Sequence, residues 1–150
     1  MELYPARARI LVATPDWFLL TEYCAALRKE GLDADISTTG VECVEQLERA
    51  VPSLVVLDAD LLWGGADGVL AILGDDPGLP AVPTMIISSE NSRSALYQVA
   101  QYLVADYQLK PVSGKRLAQR VRFLLTSRLL PCGISNEIPD RRPSAASRTV

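Results

Sequence analysis

The sequence predicts an α/β protein with a doubly wound, five-stranded parallel sheet and five helices. Short apolar runs alternate along the chain with stretches whose apolar residues recur at helical spacing, which is the pattern of successive strand–helix units. Residues 54–57 (LVVL) are apolar at every position, as is typical of a parallel strand covered on both faces. With 150 residues, 49% of them hydrophobic, the chain has enough apolar material for one domain around a single core.

The first strand–helix unit is predicted from the run RILVA at residues 9–13 and the helical pattern after it. Asp16 is placed to cap the N-terminus of this helix, and Gly31 is placed to end it. The apolar residues at helical spacing, which are predicted to face the core, are Trp17, Leu20, Cys24 and Leu27.

Residues 34–36 predict a short second strand, after which Thr39 can cap a second helix that Pro52 ends. The third strand, at residues 54–57, is followed directly by Asp58. A charge at the end of such a strand must be solvated, paired or functional. The predicted inner face of the second helix comprises Val41, Val44, Leu47 and Val51.

The C-terminal half continues the alternation. The predicted elements are a short helix at 68–73, a strand at 82–87, a helix at 92–104, a strand at 107–109 and a last helix at 113–128. From residue 131 onward the sequence lacks periodicity and is rich in Pro, Ser and Arg, a composition typical of disorder. The predicted organisation is one domain over residues 7–128 and a disordered tail over residues 129–150.

Composition excludes several classes of chemistry. The sequence contains no histidine, which removes Ser-His and Cys-His nucleophile pairs, HExxH zinc sites and an internal phosphohistidine. Its apolar runs are too short to span a bilayer, and the N-terminus has no signal-peptide core, so we expect no membrane association. Cys24 and Cys43 lie in helical patterns, which predicts buried free thiols and a reducing, cytoplasmic location.

Charge is unevenly distributed along the chain. Residues 1–106 carry 16 acidic and 6 basic residues, whereas residues 107–150 carry 2 acidic and 9 basic residues. An acidic body with a basic C-terminal section favours a polar interaction surface at that end, although a merely solvated charged face is the alternative. No helix-turn-helix, zinc-finger or aromatic-basic pattern is present, so direct nucleic-acid binding is not expected.

In a doubly wound fold, functional sites lie outside the carboxyl ends of the strands. Asp58, Ser88 and Lys110 follow successive predicted strands and form a set suited to phosphoryl chemistry. A carboxylate can act as a nucleophile toward a phosphoryl donor, and a hydroxyl and an ammonium can bind the phosphate oxygens that result. Taken singly, Ser88 can also be a strand-end cap and Lys110 a solvated charge.

The sequence resembles the receiver domain of two-component response regulators over residues 7–128. The matching stretches are ILVATPD at 10–16, Gly31, LVVLD at 54–58, DG at 67–68, VPTMIISS at 82–89 and DYQLKP at 106–111. The resemblance implies a flavodoxin-like topology. It also implies that Asp58 is the phosphoacceptor and that Lys110, before a proline often held in cis, binds the phosphate. In the same resemblance, Ser88 supplies the hydroxyl of the switch, and Tyr107 is the aromatic residue that changes rotamer.

The sequence departs from the family where a metal would bind. The family holds Mg²⁺ with an acidic pair after the first strand, and this pair falls on Thr14 and Pro15 here. Because Mg²⁺ is usually held through one or two carboxylates, the loss weakens any Mg²⁺ site. The remaining metal candidates are Asp58, the backbone carbonyl of Asp60, and Asp16. No other cofactor is expected.

Three functions remain open at this point. The first is a phosphorylated interaction switch, and the second is a phosphorylation-independent pseudo-receiver. The third is a phosphatase, because Asp58-Ala59-Asp60 also resembles the DxD of haloacid-dehalogenase-type enzymes. Those enzymes need an acidic residue beyond the lysine, and none occurs between Lys110 and Glu137, so we expect no enzyme.

The resemblance implies protein partners. The expected partner is a histidine kinase, a phosphotransfer protein or a downstream signalling protein. A second copy of the chain, bound through the last two helices and the fifth strand to form a homodimer, is a further candidate. Trp63, in a loop longer than is usual in the family, is either a partner anchor or a lid over the site. The predicted partner face comprises Tyr97, Tyr102, Arg116, Arg120 and Arg122, which a solvated surface would explain equally well.

Overall fold

The computed structural model describes residues 7–61, 65–75, 82–89 and 104–129. Its strands are β1 (Arg9–Ala13), β2 (Asp33–Ser37), β3 (Leu54–Asp58), β4 (Thr84–Ser88) and β5 (Asp106–Leu109). Its helices are α1 (Trp17–Lys29), α2 (Gly40–Arg49), α3 (Gly65–Asp75) and α4 (Gly114–Leu129). The predicted helix at 92–104 lies, except for its last residue, outside the described residues, as do Trp63, Tyr97, Tyr102 and the predicted tail beyond residue 129.

The five strands form one parallel sheet in the order β2-β1-β3-β4-β5. This confirms the predicted doubly wound α/β fold, with four helices in the described ranges. Because β3 lies at the centre, the carboxyl ends of β1 and β4 flank its own. Asp58 pairs with Ile87 on β4, and Ser88 pairs with Leu109 on β5.

Alternate strand residues point to opposite faces of the sheet, and among the described residues two helices pack on each face. Ile10, Val12, Leu54 and Val56 pack with α1 and α4 on one face. Leu11, Val55 and Leu57 pack with α2 and α3 on the other face. The two layers bury the strands on both sides, which explains why LVVL contains no polar residue.

The ends of α1 are as predicted, but part of its inner face is not. The Asp16 carboxylate accepts hydrogen bonds from the backbone N–H groups of Phe18 and Leu19, and Gly31 takes a positive φ of 84° after the helix. The prediction that Trp17 faces the core was wrong, because its side chain is 63% exposed. The buried stripe begins one turn later, at Leu20.

The inner face of α2 is rotated relative to the prediction. Thr39 caps the helix as expected, but Val41 and Val51 are exposed, so their predicted burial was wrong. The buried residues are Gly40, Cys43 and Leu47, at spacings of three and four residues. Of the four predicted inner residues, Leu47 is buried and Val44 is partly buried against the core, while Cys43 occupies an inner position that the pattern did not include.

Several boundaries differ from the predictions. Strand β3 extends by one residue to include Asp58, and α3 begins at Gly65 rather than at residue 68. Cys24 and Cys43 are free and buried, as predicted. None of the helices in the described ranges combines the length and the hydropathy that crossing a bilayer requires.

Candidate functional site

The carboxylate of Asp58 lies at the centre of the candidate site and is completely buried, with no exposed surface. Its burial follows from its place as the last residue of the central strand, with β1 and β4 on either side. A buried carboxylate is costly unless charged or polar partners surround it. The site therefore depends on the groups that contact its two oxygens.

Both oxygens of the Asp58 carboxylate accept hydrogen bonds. Oδ2 accepts one from the hydroxyl of Thr14 at 2.6 Å and one from Nζ of Lys110 at 2.8 Å. Oδ1 accepts one from the backbone N–H of Asp60 at 2.8 Å. The structure thus provides a hydroxyl, an ammonium and an amide for one carboxylate, which offsets the cost of burying its charge.

Lys110 is held at the site by the sheet. Its backbone N–H donates to the carbonyl of Ser88 at 2.7 Å, and the Lys110–Pro111 peptide bond is cis, as the resemblance implied. Its Nζ also lies 3.5 Å from Oδ2 of Asp60. Burial lowers the pKa of the Lys110 ammonium, but its bonds to Asp58 and Asp60 outweigh burial and leave the pKa above its ordinary value. The ammonium is therefore charged at neutral pH.

Thr14 links the buried carboxylate to the start of α1. Its side chain has no exposed surface, and its hydroxyl accepts a hydrogen bond from the backbone N–H of Asp16 at 3.2 Å while donating to Asp58. Asp16 in turn uses Oδ1 to cap α1. A chain of hydrogen bonds thus runs from the first turn of α1 through Thr14 to Asp58.

The other predicted site residues lie at the same edge of the sheet. Ser88 ends β4 one residue after the residue that pairs with Asp58, and it is nearly buried. Tyr107 lies on β5 opposite Ile86 and packs, half-buried, against the core layer that faces α2 and α3. The structure therefore brings Asp58, Ser88 and Lys110 to one edge, while the carboxylate of Asp60 is 62% exposed.

The residues at this edge do not fit the Mg²⁺ site that the resemblance implies. Thr14 and Pro15 provide no carboxylate, and the Thr14 hydroxyl already donates a hydrogen bond to Asp58. Oδ1 of Asp16 is engaged by the N-terminus of α1, and Oδ2 of Asp58 is engaged by Lys110. Across the described residues, no three Cys, Asp or Glu side chains form a group that could hold a metal ion.

The predicted partner face is described only in part. On α4, Nε of Arg120 donates to Oδ2 of Asp106 at 3.0 Å, and the guanidinium lies 5.1 Å from the ring centre of Phe123. Burial raises the pKa of Asp106, but hydrogen bonds from Arg120 and Gln108 outweigh it and hold the pKa below its ordinary value. Arg116 is exposed, and its Nε donates to Gln108.

Two features of the site were not predicted from the sequence. The direct bond from Thr14 to Asp58 is the first, because the family resemblance identifies position 14 only as a metal-ligand position. The exposure of Trp17 and Phe18 beside the site, at 63% and 78%, was also missed. The sequence signal for the second feature is Asp16: as the cap of α1, it places both aromatic residues in the first turn of the helix.

Comparisons with known proteins identify signalling relatives. No protein-family model matches the chain. The sensory transduction protein RegX3 of Mycobacterium tuberculosis is 26% identical over 116 residues, which is 77% of this chain and 50% of that protein. The hybrid signal transduction histidine kinase D of Dictyostelium discoideum is 28% identical over 87 residues, 58% of this chain and 6% of that protein. The chain thus spans half or less of these relatives.

Solved structures match more of the chain. A CheY-like response regulator receiver domain protein from Methanospirillum hungatei superposes with a TM-score of 0.73 at 20% identity, covering 82% of this chain and 97% of that one. The receiver domain of the Francisella response regulator 1452 gives 0.73 at 21% identity, with 81% and 99% coverage. The strand order, the edge that holds Asp58, Ser88 and Lys110, and these likenesses together identify the chain as having the receiver-domain fold of two-component response regulators.

Proposed function

We propose that the chain is a receiver-type signalling domain that works through protein contacts without phosphorylation or Mg²⁺. In this closed version, hydrogen bonds already engage both oxygens of the Asp58 carboxylate and hold it in one arrangement. The observation that carries the proposal is the 2.6 Å hydrogen bond from the Thr14 hydroxyl to Oδ2 of Asp58, two residues with no exposed surface. Thr14 stands where the resemblance places an acidic metal ligand. In this proposal it replaces metal coordination by a hydrogen bond.

The bonding of the carboxylate supports the proposal. A nucleophilic oxygen must present a free lone pair to the phosphoryl donor. Here Oδ2 accepts from two donors and Oδ1 accepts from the backbone of Asp60, which turns toward Asp58 directly after β3. The arrangement matches a structural carboxylate more closely than a nucleophile awaiting a donor.

The charges at the site also support it. Two carboxylates, Asp58 and Asp60, face one ammonium, Lys110. An acidic pair in place of Thr14 and Pro15 would add two negative charges beside them, which a divalent cation would then offset. Without that pair, the Lys110 ammonium is enough to compensate the buried charge of Asp58.

The second candidate is a phosphorylated switch. It is favoured by the common edge that holds Asp58, Ser88 and Lys110, and by relatives named for sensory and signal transduction. In this version a histidine kinase or phosphotransfer protein phosphorylates Asp58. Ser88 and Tyr107 then respond, changing the surface near β5 and α4. The proposal assigns no enzymatic turnover to either version and places both in the cytoplasm.

The two versions use the same kind of partner surface. Arg116 and Arg120 on α4, next to β5, form a basic area that suits a downstream protein or a second copy of the chain. In the closed version this surface keeps one shape. In the switched version it changes when Asp58 gains a phosphoryl group.

The test is incubation with acetyl phosphate and Mg²⁺, followed by intact-protein mass spectrometry. The wild type is expected to gain no phosphoryl group. Asp58→Asn shows the background from other sites, and the double variant Thr14→Asp with Pro15→Asp serves as the matched variant with the acidic pair restored. A phosphoryl adduct on the wild type that Asp58→Asn removes would establish the switch and overturn the closed version.

A further inference from the structure

A groove lies on the opposite edge of the sheet from Lys110, between the start of α1, the end of β2 and the outer side of α2. It encloses a volume of about 230 Å³. The indole of Trp17 forms one wall, and Ile36, itself partly exposed, contributes apolar surface from the edge strand. Drug-sized ligand pockets measure roughly 300–1,000 Å³, so this groove is closer in size to a single long side chain.

The polar lining of the groove is predominantly acidic. Glu42 accepts hydrogen bonds from the backbone N–H of Thr38 at 2.7 Å and from its hydroxyl at 3.0 Å. The first of these bonds makes the largest contribution to holding the pKa of Glu42 below its ordinary value, so the carboxylate is ionised at neutral pH. Glu45 is exposed and makes no ion pair with any described residue. Arg49 supplies the one positive charge among the lining residues.

Ser37, at the end of β2, is also among the lining residues, but its hydroxyl is buried. A hydrogen bond with this hydroxyl lowers the pKa of the Cys43 thiol a little, but burial dominates and raises that pKa to about 11. Ser37 therefore offers no free polar group to the groove, and the charges of the lining come from α2.

We propose that this groove binds a positively charged side chain, arginine or lysine, presented by a partner protein. A cation placed over the face of an indole is attracted by its π-electrons, and Trp17 offers such a face in a largely exposed position. Glu42 and Glu45 then lie on the same groove to pair with the charge. Residues 1–106, which include every lining residue, carry a net charge of −10, so a basic partner segment is also attracted at longer range.

The groove is separate from the basic area on α4. Its lining residues come from α1, β2 and α2, whereas Arg116 and Arg120 follow β5 at the other edge of the sheet. The inference therefore does not depend on whether Asp58 is phosphorylated. It gives the domain a second contact surface of opposite charge.

The test uses the tripeptide acetyl-Gly-Arg-Gly-amide as the probe, titrated to millimolar concentration against the full chain. The sequence contains two tryptophans, so Trp63→Phe makes Trp17 the sole reporter of indole fluorescence. The arginine peptide is expected to change the Trp17 emission saturably. A matched peptide with citrulline, which has nearly the same shape without the charge, is expected to leave it unchanged.

Charge variants on α2 test whether the affinity for the arginine peptide changes in the direction that the lining charges predict. Glu45→Gln is expected to weaken binding of the arginine peptide about twofold to fivefold, the range for an exposed ion pair. Glu48→Gln removes the same charge from an exposed position outside the lining and is expected to have no effect. Arg49→Gln is expected to strengthen binding, because it removes the one positive charge of the lining.

Three results would overturn the inference. They are no saturable change with the arginine peptide, equal responses to arginine and citrulline, or equal effects of Glu45→Gln and Glu48→Gln. A fourth would reassign the occupant: if Arg141→Gln with Arg142→Gln tightens probe binding in the full chain, the occupant is the chain's own basic segment, and the partner proposal fails.

Discussion

The hydroxyl of Thr14 lies 2.6 Å from Oδ2 of Asp58 and donates a hydrogen bond to it. Thr14 directly follows β1 and Asp58 ends β3, so the bond joins the carboxyl ends of two neighbouring strands. It also connects Asp58 to the start of α1, because the backbone N–H of Asp16 donates to the same hydroxyl. A residue that the family resemblance marks as a missing metal ligand is therefore part of the support for the buried carboxylate.

Removal of the Thr14 hydroxyl is expected to destabilise the domain. Thr14→Val keeps the shape of the side chain but takes one donor from a buried carboxylate and the acceptor from the Asp16 amide. Hydrogen bonds to charged groups contribute about 1.5–3 kcal/mol, so the free energy of unfolding in urea should fall by about that amount.

Thr21→Val is the matched control for this change. The Thr21 hydroxyl also makes one hydrogen bond, to the carbonyl of Trp17, but at an exposed position. Its replacement is expected to change the free energy of unfolding by less than about 0.5 kcal/mol. Equal losses for the two valine variants would contradict the role assigned to Thr14.

Lys110 is expected to be the most important single partner of Asp58. Lys110→Met leaves the carboxylate buried without a cation, and breaking a buried ion pair costs roughly 3–5 kcal/mol. The Lys110 side chain retains 21% exposure, so we expect a loss near the lower end, about 3 kcal/mol, in urea unfolding. Lys115→Met, at an exposed position on α4, is the control.

A double-mutant cycle measures the interaction between Lys110 and Asp58 separately from their other contacts. If the cost of Lys110→Met arises from the unpaired charge of Asp58, then adding Asp58→Asn should recover a substantial part of it. Additive losses in the double variant would show that the two side chains do not stabilise each other.

Tyr23 is expected to make stability fall at high pH. It is buried on α1 and donates to the carbonyl of Val112 at 2.8 Å. Burial first, and then the charges of Glu22, Asp58 and Asp16, raise the pKa of Tyr23 from 10.0 to about 12. Because the folded state holds this proton more tightly, its stabilisation is complete below pH 10 and is lost as pH rises toward 12.

Unfolding measured from pH 8 to 12 with wild type and Tyr23→Phe isolates this effect. The variant loses the hydrogen bond to Val112, so it should be less stable by about 1 kcal/mol near neutral pH. Because the wild type loses on the order of 2 kcal/mol between the two pKa values, this deficit should disappear and the variant should become the more stable protein near pH 12. A deficit that stays constant to pH 12 would contradict the assignment.

A side chain added at Gly114 is expected to destabilise the domain, because this residue begins α4 in close contact with α1. A Cβ at this position would lie 3.0 Å from Cβ of Ala26, Cγ of Glu22 and the backbone oxygen of Glu22. Overpacking of this kind costs about 1–3 kcal/mol, so Gly114→Ala should lower the thermal midpoint. Gly74→Ala, which has no atom within 4 Å of the added Cβ, should leave stability unchanged or raised.

The general fold could be predicted from the sequence, because the strands at 9–13 and 54–57 are short apolar runs and Asp16, Thr39 and Gly31 are strong local end signals. The faces of the helices were harder to predict. Trp17 and Val41 fit an apolar stripe by spacing but are exposed, because burial depends on how each helix packs against the sheet, which is a property of tertiary structure.

The candidate site shows the same division. The common edge of Asp58, Ser88 and Lys110 follows from strand order alone. The bond from Thr14 does not, because it depends on the distance between two strand ends and on the direction of a hydroxyl. The family resemblance implies a carboxylate at position 14, but nothing in the sequence indicates that the Thr14 hydroxyl bonds to Asp58 instead.

The most direct test of the account is ¹⁵N NMR of the wild-type chain during addition of Mg²⁺ and then beryllofluoride, which mimics a phosphoryl group. We expect the backbone resonances of Thr14, Asp58 and Lys110 to stay unchanged through both additions, because the hydroxyl and the ammonium already engage the carboxylate. Saturable, Mg²⁺-dependent shifts at these three residues that Asp58→Asn abolishes would contradict the closed site.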